Sequence, residues 1–232
     1  MIPALSALYE DQNLDRLRFT YPRKFLFLCG GATPRNPADK KAINLRDYLY
    51  RIKKLQRRLN AYVVLAETAT TLYRDSKYND LILFEEDIAR IASIVLVIPE
   101  SAGSLAELGA FATNDTIRHA LRVVVQDKYA NDESFIRFGP ITKIMNYRRD
   151  FVGFYTWTLN NSQNVVISSP NYKEVFKFIN NHIDKIPGSI TFPKTPDTKL
   201  FCIIYWIIYI LNVVPEPLLR LIPLSQVARY VV

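Results

Sequence analysis

The sequence predicts an α/β chain built on a doubly wound, mostly parallel sheet and ending in a short helical C-terminal segment. Three observations carry that prediction. Short, unbroken apolar runs recur, the clearest being Ile94-Val95-Leu96-Val97-Ile98, and such a run reads as a parallel strand buried on both faces. Stretches with apolar residues at helical spacing separate the runs. Glycine and serine turns, Gly30-Gly31 and Ser101-Ala102-Gly103-Ser104, follow two of them, where the ligand-binding edge of an open α/β sheet lies. Strands alternating with helices imply parallel βαβ units.

The elements follow in order. Phe25 to Leu28 is a strand. Asn36-Pro37 opens a helix by N-cap and N1 preference, and the helix is expected to run to about Leu59. Tyr62 to Leu65 is the second strand. A helix from about Asp80 to Ala92 leads into Ile94–Ile98. A helix over Ser104–Asn114 comes next, then a strand at Leu121–Val125 and a helix near Phe135–Met145. Phe151–Trp157 is the last expected strand and Tyr172–Ile186 the last helix. The arrangement is Rossmann- or flavodoxin-like, and no internal repeat stands out.

The chain changes character at Pro187-Gly188, Pro193 and Pro196, which mark a linker. Phe201 to Val214 then forms a nearly unbroken apolar run closed by Pro215. At 14 residues it is short against the roughly 20 of a membrane span, so a buried or partner-covered helix is the preferred reading. The expected organisation is an N-terminal arm over 1–22, a main domain over 23–187, a linker over 188–198 and an apolar helical segment over 199–232.

A chain of 232 residues with a hydrophobic fraction of 49% can bury a full core. Two cysteines, Cys29 and Cys202, make no disulfide framework, and residues 1–20 carry Glu10, Asp11 and Asp15 without an apolar signal segment. These features suggest a reducing, cytoplasmic setting without a membrane anchor. The net charge of +8 is concentrated in Arg46, Arg51, Lys53, Lys54, Arg57 and Arg58, opposed there by Asp47 alone. Ile43, Tyr48, Ile52, Leu55 and Leu59 recur at helical spacing, which puts the basic residues on the outer face. That face is either a solvated surface or a contact for nucleic acid, with Arg51, Lys54 and Arg58 as the contacting residues.

Candidate chemistry centres on Glu107, which follows the Ile94–Ile98 strand and its serine-rich loop. A carboxylate there can attack, or guide water onto, a sugar carbon. Ser104-x-x-Glu107 also fits a capping box, with Ser104 capping the helix and Glu107 reaching back to its backbone N–H. Gly103 permits close ligand approach, while Ser101 and Ser104 offer hydroxyls to ribose or phosphate. Gly30-Gly31 after the first strand suits a phosphate-binding turn with positive φ, and suits a plain tight turn equally well. Cys29 reads as a small buried residue. His119 and His182 lie far apart with no metal-ligand spacing and no triad, so no metal site is expected.

Taken together, Phe27-Leu28-Cys29-Gly30-Gly31, the block from Phe84-Glu85 to Phe111, and Ser134-Phe135-Ile136-Arg137-Phe138-Gly139-Pro140-Ile141 resemble the nucleoside-deoxyribosyltransferase-like effectors of bacterial retrons. The resemblance covers about residues 24–150. It implies a nucleoside deoxyribosyltransferase-like fold and an N-glycosidic bond cleaver whose nucleophile falls on Glu107. Asn114 and Glu85 also match effector positions and are carried over as substrate-binding residues. The implied substrate is a nucleotide, most of all NAD losing nicotinamide, with no cofactor needed.

The implied partners are a retron reverse transcriptase and its multicopy single-stranded DNA–RNA hybrid, which restrain the toxin within a larger assembly until phage attack. Nucleoside deoxyribosyltransferases themselves carry an Asp six residues before the nucleophile. This chain has Ser101 there, which favours hydrolysis over base transfer. Family effectors continue into a winged-helix-like domain, of which 199–232 would be the opening. A nucleotide sensor without turnover and a docking scaffold are the two other functional classes compatible with the sequence.

Overall fold

A computed structural model describes residues 18–20, 24–32, 41–74 and 78–191. One compact unit comprises Lys24–Ile186 and a second comprises Met1–Arg23 with Pro187–Val232. In the second unit the described strands β1 (Arg18–Thr20) and β9 (Ser189–Thr191) pair antiparallel, with Phe19 opposite Ile190. Strand β9 thus falls inside the stretch expected to be linker. The rest of the expected arm, the linker beyond Thr191 and the apolar segment 199–232 lie outside the described residues.

The first unit is organised by a five-stranded parallel sheet. Its strands are β2 (Lys24–Cys29), β3 (Ala61–Leu65), β4 (Ile94–Val97), β5 (Leu121–Gln126) and β6 (Val152–Tyr155), in spatial order β3-β2-β4-β5-β6. The order reverses between β2 and β4, where Leu26, Phe27, Leu28 and Cys29 register with Ile94, Val95, Leu96 and Val97. In an open α/β sheet the crevice beyond the strand ends at such a switch point is the ligand site.

Both faces of the sheet are covered, so its strands read as apolar runs with no alternation. Phe27 and Cys29 face a core with Val95, Val97, Leu108 and Phe111, whereas Leu26 and Leu28 face another with Leu45, Leu49, Leu96 and Ile179. All four residues of β4 are buried. Each such side chain contributes about 1.5–3 kcal/mol of transfer free energy.

The helices follow local chemistry. Asn44 caps α1 (Leu45–Asp47), its side chain accepting from the Asp47 N–H at 2.8 Å. The helix continues as a π-helical turn over Tyr48–Ile52 and stops at Lys54, whose φ of 51° is left-handed, before α2 (Leu55–Arg58). The continuous helix expected to reach Leu59 is therefore broken, and its expected opening at Asn36-Pro37 lies outside the described residues.

Helix α3 (Ala66–Arg74), which the periodicity did not announce, leaves β3 without a loop. Asp80 caps α4 (Leu81–Ile91) through the Leu83 N–H. Helix α5 (Ala102–Thr113) begins two residues earlier than expected, because Ser101 and not Ser104 is its cap. Asn114 ends α5 and caps α6 (Asp115–Arg118).

Pro140 lacks the N–H that an α-helix needs and sits in a π-helical turn, Arg137–Ile141, leading into α7 (Thr142–Tyr147). The expected strand over Phe151–Trp157 ends at Tyr155. A small hairpin of β7 (Thr158–Leu159) and β8 (Val165–Val166) follows, and α8 (Ser169–Asp184) closes the unit. Among the described residues no helix is long and apolar enough to cross a membrane.

Candidate active site at the switch point of the sheet

Strand β2 ends at Cys29, whose carbonyl accepts from the Ile98 N–H at 3.0 Å, so the two strands leave the sheet side by side. Beyond β2, Gly30 and Gly31 carry no positive φ, which corrects the phosphate-turn expectation at that point. They are glycines for space. A Cβ on Gly30 would lie 2.8 Å from Arg46 Cδ, and one on Gly31 would lie 2.6 Å from Asn44 Cγ. The side chains of α1 press onto this loop, and Asn44 Nδ2 donates to the Ala32 carbonyl at 2.6 Å.

Beyond β4, Glu100 fastens the second loop to α1. Its carboxylate accepts from the Leu45 and Arg46 N–H groups at 2.8 and 3.1 Å, satisfying donors at the start of that helix. Burial raises its carboxyl pKa, and those two bonds with a further one from Trp157 offset part of the rise. Sequence reasoning passed over Glu100, although it stands within the block around Glu107.

Ser101 and Ser104 form a reciprocal capping box. Ser101 Oγ accepts from the Ser104 N–H at 3.2 Å, and Ser104 Oγ accepts from the Ser101 N–H at 2.9 Å. Ser101 Oγ also donates to the Gly30 carbonyl at 3.1 Å, tying the two switch-point loops together. The expected box of Ser104 with Glu107 is therefore corrected: serine supplies both halves, and Glu107 is released from capping. Ser104 is buried with its hydroxyl committed to the cap, whereas Gly103 is exposed, and a Cβ there would meet only Ser101 Oγ, at 3.9 Å.

Glu107 sits in the second turn of α5, half-buried, and its Oε2 is buried without a hydrogen-bond partner among the described residues. Burial pushes its carboxyl pKa up, while a hydrogen bond with the Cys29 thiol and the attraction of Arg46 pull it partly back. The thiol in turn is held well above its ordinary range, by burial first and then by Glu107 and Glu85. It is a protonated donor and no nucleophile.

Glu85 on α4 is buried, and its carboxyl is pushed up to about 8 by burial, then by the charges of Glu107 and Glu67. At neutral pH Glu85 thus carries a proton that the charge on Glu107 helps to hold there. Arg46 reaches the same edge from α1. It is 1% exposed, and both ends of its guanidinium fork pair with Glu67 of α3, Nη1 donating to Oε2 at 2.5 Å and Nη2 to Oε1. The sequence marked Arg46 only as part of a basic cluster, and Glu67 carried no signal.

The other expected site residues lie elsewhere. Asn114 stands seven residues, about 10 Å, along the helix axis from Glu107. Its Oδ1 accepts from the Thr116 N–H and hydroxyl at 3.0 and 2.7 Å. The basic cluster does not present a uniform outer face, which corrects that expectation: Arg46 is buried, and Arg51 donates twice to Asp47 at 2.8 Å. Lys54 and Arg58 are exposed, and Arg58 donates to the Tyr172 hydroxyl at 2.9 Å. His182 is buried with Nδ1 2.8 Å from the Phe178 carbonyl, and His119 is exposed. Among the described residues no group of His, Cys, Asp and Glu could hold a metal ion.

An α/β switch point with a partly buried carboxylate pair is a candidate site, and comparison with known proteins gives the family. The profile of the family described as STM3845 retron effector protein matches residues 42–221. The chain is 27% identical over 154 residues, 66% of its length, to the Escherichia coli protein named "Retron Ec73 putative ribosyltransferase/DNA-binding protein". It is 32% identical over 69 residues, 30% of its length, to the Ec86 protein of the same description and organism. The match spans about half of the Ec73 relative, 48%, and 22% of the Ec86 one. With the family profile extending across most of its sequence, from the first helix of the sheet unit to beyond the described residues, this chain belongs to the STM3845 retron effector family.

Proposed function

We propose that this chain is a retron effector that cleaves the N-glycosidic bond of a nucleotide, with NAD as substrate and nicotinamide as leaving group, in antiphage defence. The observation that carries the reading is Glu107 at the switch point, a carboxyl whose buried Oε2 has no hydrogen-bond partner among the described residues. A carboxylate that stabilises or traps the oxocarbenium-like sugar is the group this glycosyl cleavage needs. A ribosyltransferase description of both relatives is compatible with that chemistry.

In the proposed reaction the C1′–N bond breaks and its electron pair leaves with the base. Glu107 stabilises or traps the oxocarbenium-like sugar, and water then supplies the new C1′–OH. Nicotinamide in NAD is a cationic leaving group and departs neutral without protonation. The proton on Glu85 would be needed only for a base that leaves as an anion. Gly30 and Gly31 flank the sugar–phosphate path and Gly103 gives open access to it, with Ser101 and Ser104 shaping the loop. Asn114 fits a second-layer role through the end of α5.

The cytoplasm is the proposed setting. The proposed partners are a reverse transcriptase and its DNA–RNA hybrid, and the relatives' "DNA-binding" description supports nucleic acid near this chain. The decisive experiment is incubation of the purified chain, free of partners, with NAD, following free nicotinamide. Release that is lost in Glu107→Gln supports the reading. Tight NAD binding with no release in the parent overturns it in favour of a nucleotide sensor.

A further inference from the structure

We propose that Arg46 receives the phosphate of a bound nucleotide and that the Glu67 carboxylate is the group it displaces, an assignment that rests on the nucleotide reading above. The sequence pointed to the backbone of Gly30-Gly31 for that task. The loop there is instead overlain by the stem of Arg46, whose Cβ, Cγ and Cδ would all lie within 3.2 Å of a Cβ on Gly30.

Three features separate Arg46 from an ordinary structural ion pair. Its aim does not depend on Glu67, because its stem rests on Gly30 and its N–H is held by Glu100 at 3.1 Å. Its partner is unequal to it: the Arg46 side chain is 1% exposed and that of Glu67 43%. Glu67 is therefore free to swing into water while Arg46 stays. The geometry is also that of an anion receptor, since a guanidinium fork gripping two carboxylate oxygens can grip two phosphate oxygens in the same manner.

Electrostatics favour the exchange. One anion replaces another on a buried cation, so Arg46 is never left unpaired, which would cost more than the pair itself is worth. A nucleotide phosphate held by Arg46 would bring its sugar to the edge where Glu107 stands.

The test is calorimetric and needs no turnover. Adenosine 5′-monophosphate and adenosine are titrated into the parent, Glu67→Gln and Arg46→Gln chains, with thermal melts as the folding control. The readout is the ratio of the two affinities, which isolates the phosphate. The inference expects Glu67→Gln to raise that ratio roughly tenfold, since the competing partner loses its charge. Arg46→Gln should bring the ratio close to one.

If Arg46→Gln does not fold, Glu67→Gln decides alone, because Glu67 is half-exposed. An unchanged ratio in Glu67→Gln overturns the proposal, as does a parent chain that binds neither compound. A single-stranded oligonucleotide that competes where the mononucleotide does not would overturn the small-nucleotide assignment. A chain that shows the expected ratios and yet releases no nicotinamide from NAD keeps this inference and loses the glycosidase reading. A chain that cleaves NAD with an unmoved ratio does the reverse.

Discussion

Glu85 and Glu107 reach one sheet edge from consecutive helices of the fold, and the charge on Glu107 helps hold a proton on Glu85 at neutral pH. The sequence reading made Glu107 the nucleophile and Glu85 a substrate-binding residue, and within the run Glu85-Glu86-Asp87 nothing marked Glu85 as the buried, protonated one. The separation comes from their partners: the Cys29 thiol and Arg46 both favour the charged form of Glu107, whereas the charges of Glu107 and Glu67 oppose that of Glu85. Desolvation penalises both charged forms and only Glu107 has groups that offset it, so the proton settles on Glu85.

Replacing Glu107 by Gln should remove turnover and spare the fold. The α5 cap is closed by Ser101 and Ser104, so the substitution leaves it untouched, and the melting temperature should stay near the parent's. Loss of a nucleophile lowers kcat by several orders of magnitude. Nicotinamide release and a thermal melt on the same preparation check both halves. Near-parent release would reduce Glu107 to a structural carboxylate.

Glu85→Gln should change how stability depends on pH, and the sign is fixed. The folded chain holds the Glu85 proton up to about pH 8, while the unfolded chain releases it near 4.5. Between those values the native state binds more protons, so parent stability falls as pH rises, then levels off above 8. The variant has no such titration. It should therefore gain on the parent across that window, by a few kcal/mol at the order-of-magnitude level. Denaturant melts at pH 5, 6.5 and 8 check this, and parallel slopes for the two chains would remove the shared-proton picture.

Much of this was legible in the sequence for definite reasons. Unbroken apolar runs announced the parallel strands because both faces of the sheet are covered. The turn residues after Cys29 and Ile98 marked the ligand edge. What periodicity could not supply was partnership across the fold. Glu100 closes the start of α1 from 55 residues away, and Arg46 meets Glu67 across 21. Gly30 and Gly31 signalled special backbone geometry, whereas their reason is the side chains lying on them. The Ser104–Glu107 spacing matched a capping box, but Ser101 begins the helix one turn earlier and takes the same role with Ser104. Spacing identifies candidates for a cap, and the extended φ of −145° at Ser101 decides among them.

Charge reversal at Lys54 and Arg58 should weaken binding to single-stranded nucleic acid and flatten its salt dependence. Both are exposed, whereas Arg51 is already engaged by Asp47. Reversing Arg51 would place two carboxylates together and destabilise the segment, so it belongs in a separate variant. Each lost phosphate contact should reduce the salt slope by a little under one for single strands. Binding isotherms at several salt concentrations measure this, with nicotinamide release expected unchanged in the double variant. Equal slopes for parent and variant would leave Lys54 and Arg58 as solvated surface.

Three glycines at the switch point should respond to alanine in different ways. At Gly30 the new methyl would meet Arg46 Cδ at 2.8 Å and Cβ at 2.9 Å, and that stem is packed with no room to retreat. Overpacking of this kind costs about 1–3 kcal/mol, and here it also moves the guanidinium. Gly30→Ala should therefore lower both the melting temperature and the affinity for a phosphate-bearing nucleotide. At Gly103, in the first turn of α5, nothing but Ser101 Oγ at 3.9 Å stands near the added atom. Gly103→Ala should stabilise the chain by up to about 1 kcal/mol through helix propensity. If a ligand passes close to that backbone, the same variant should bind it more weakly. Gly31→Ala, 2.6 Å from Asn44 Cγ, should destabilise through the α1 cap. Thermal melts order the three variants, and a destabilised Gly103→Ala or a neutral Gly30→Ala would contradict the packing described for these loops.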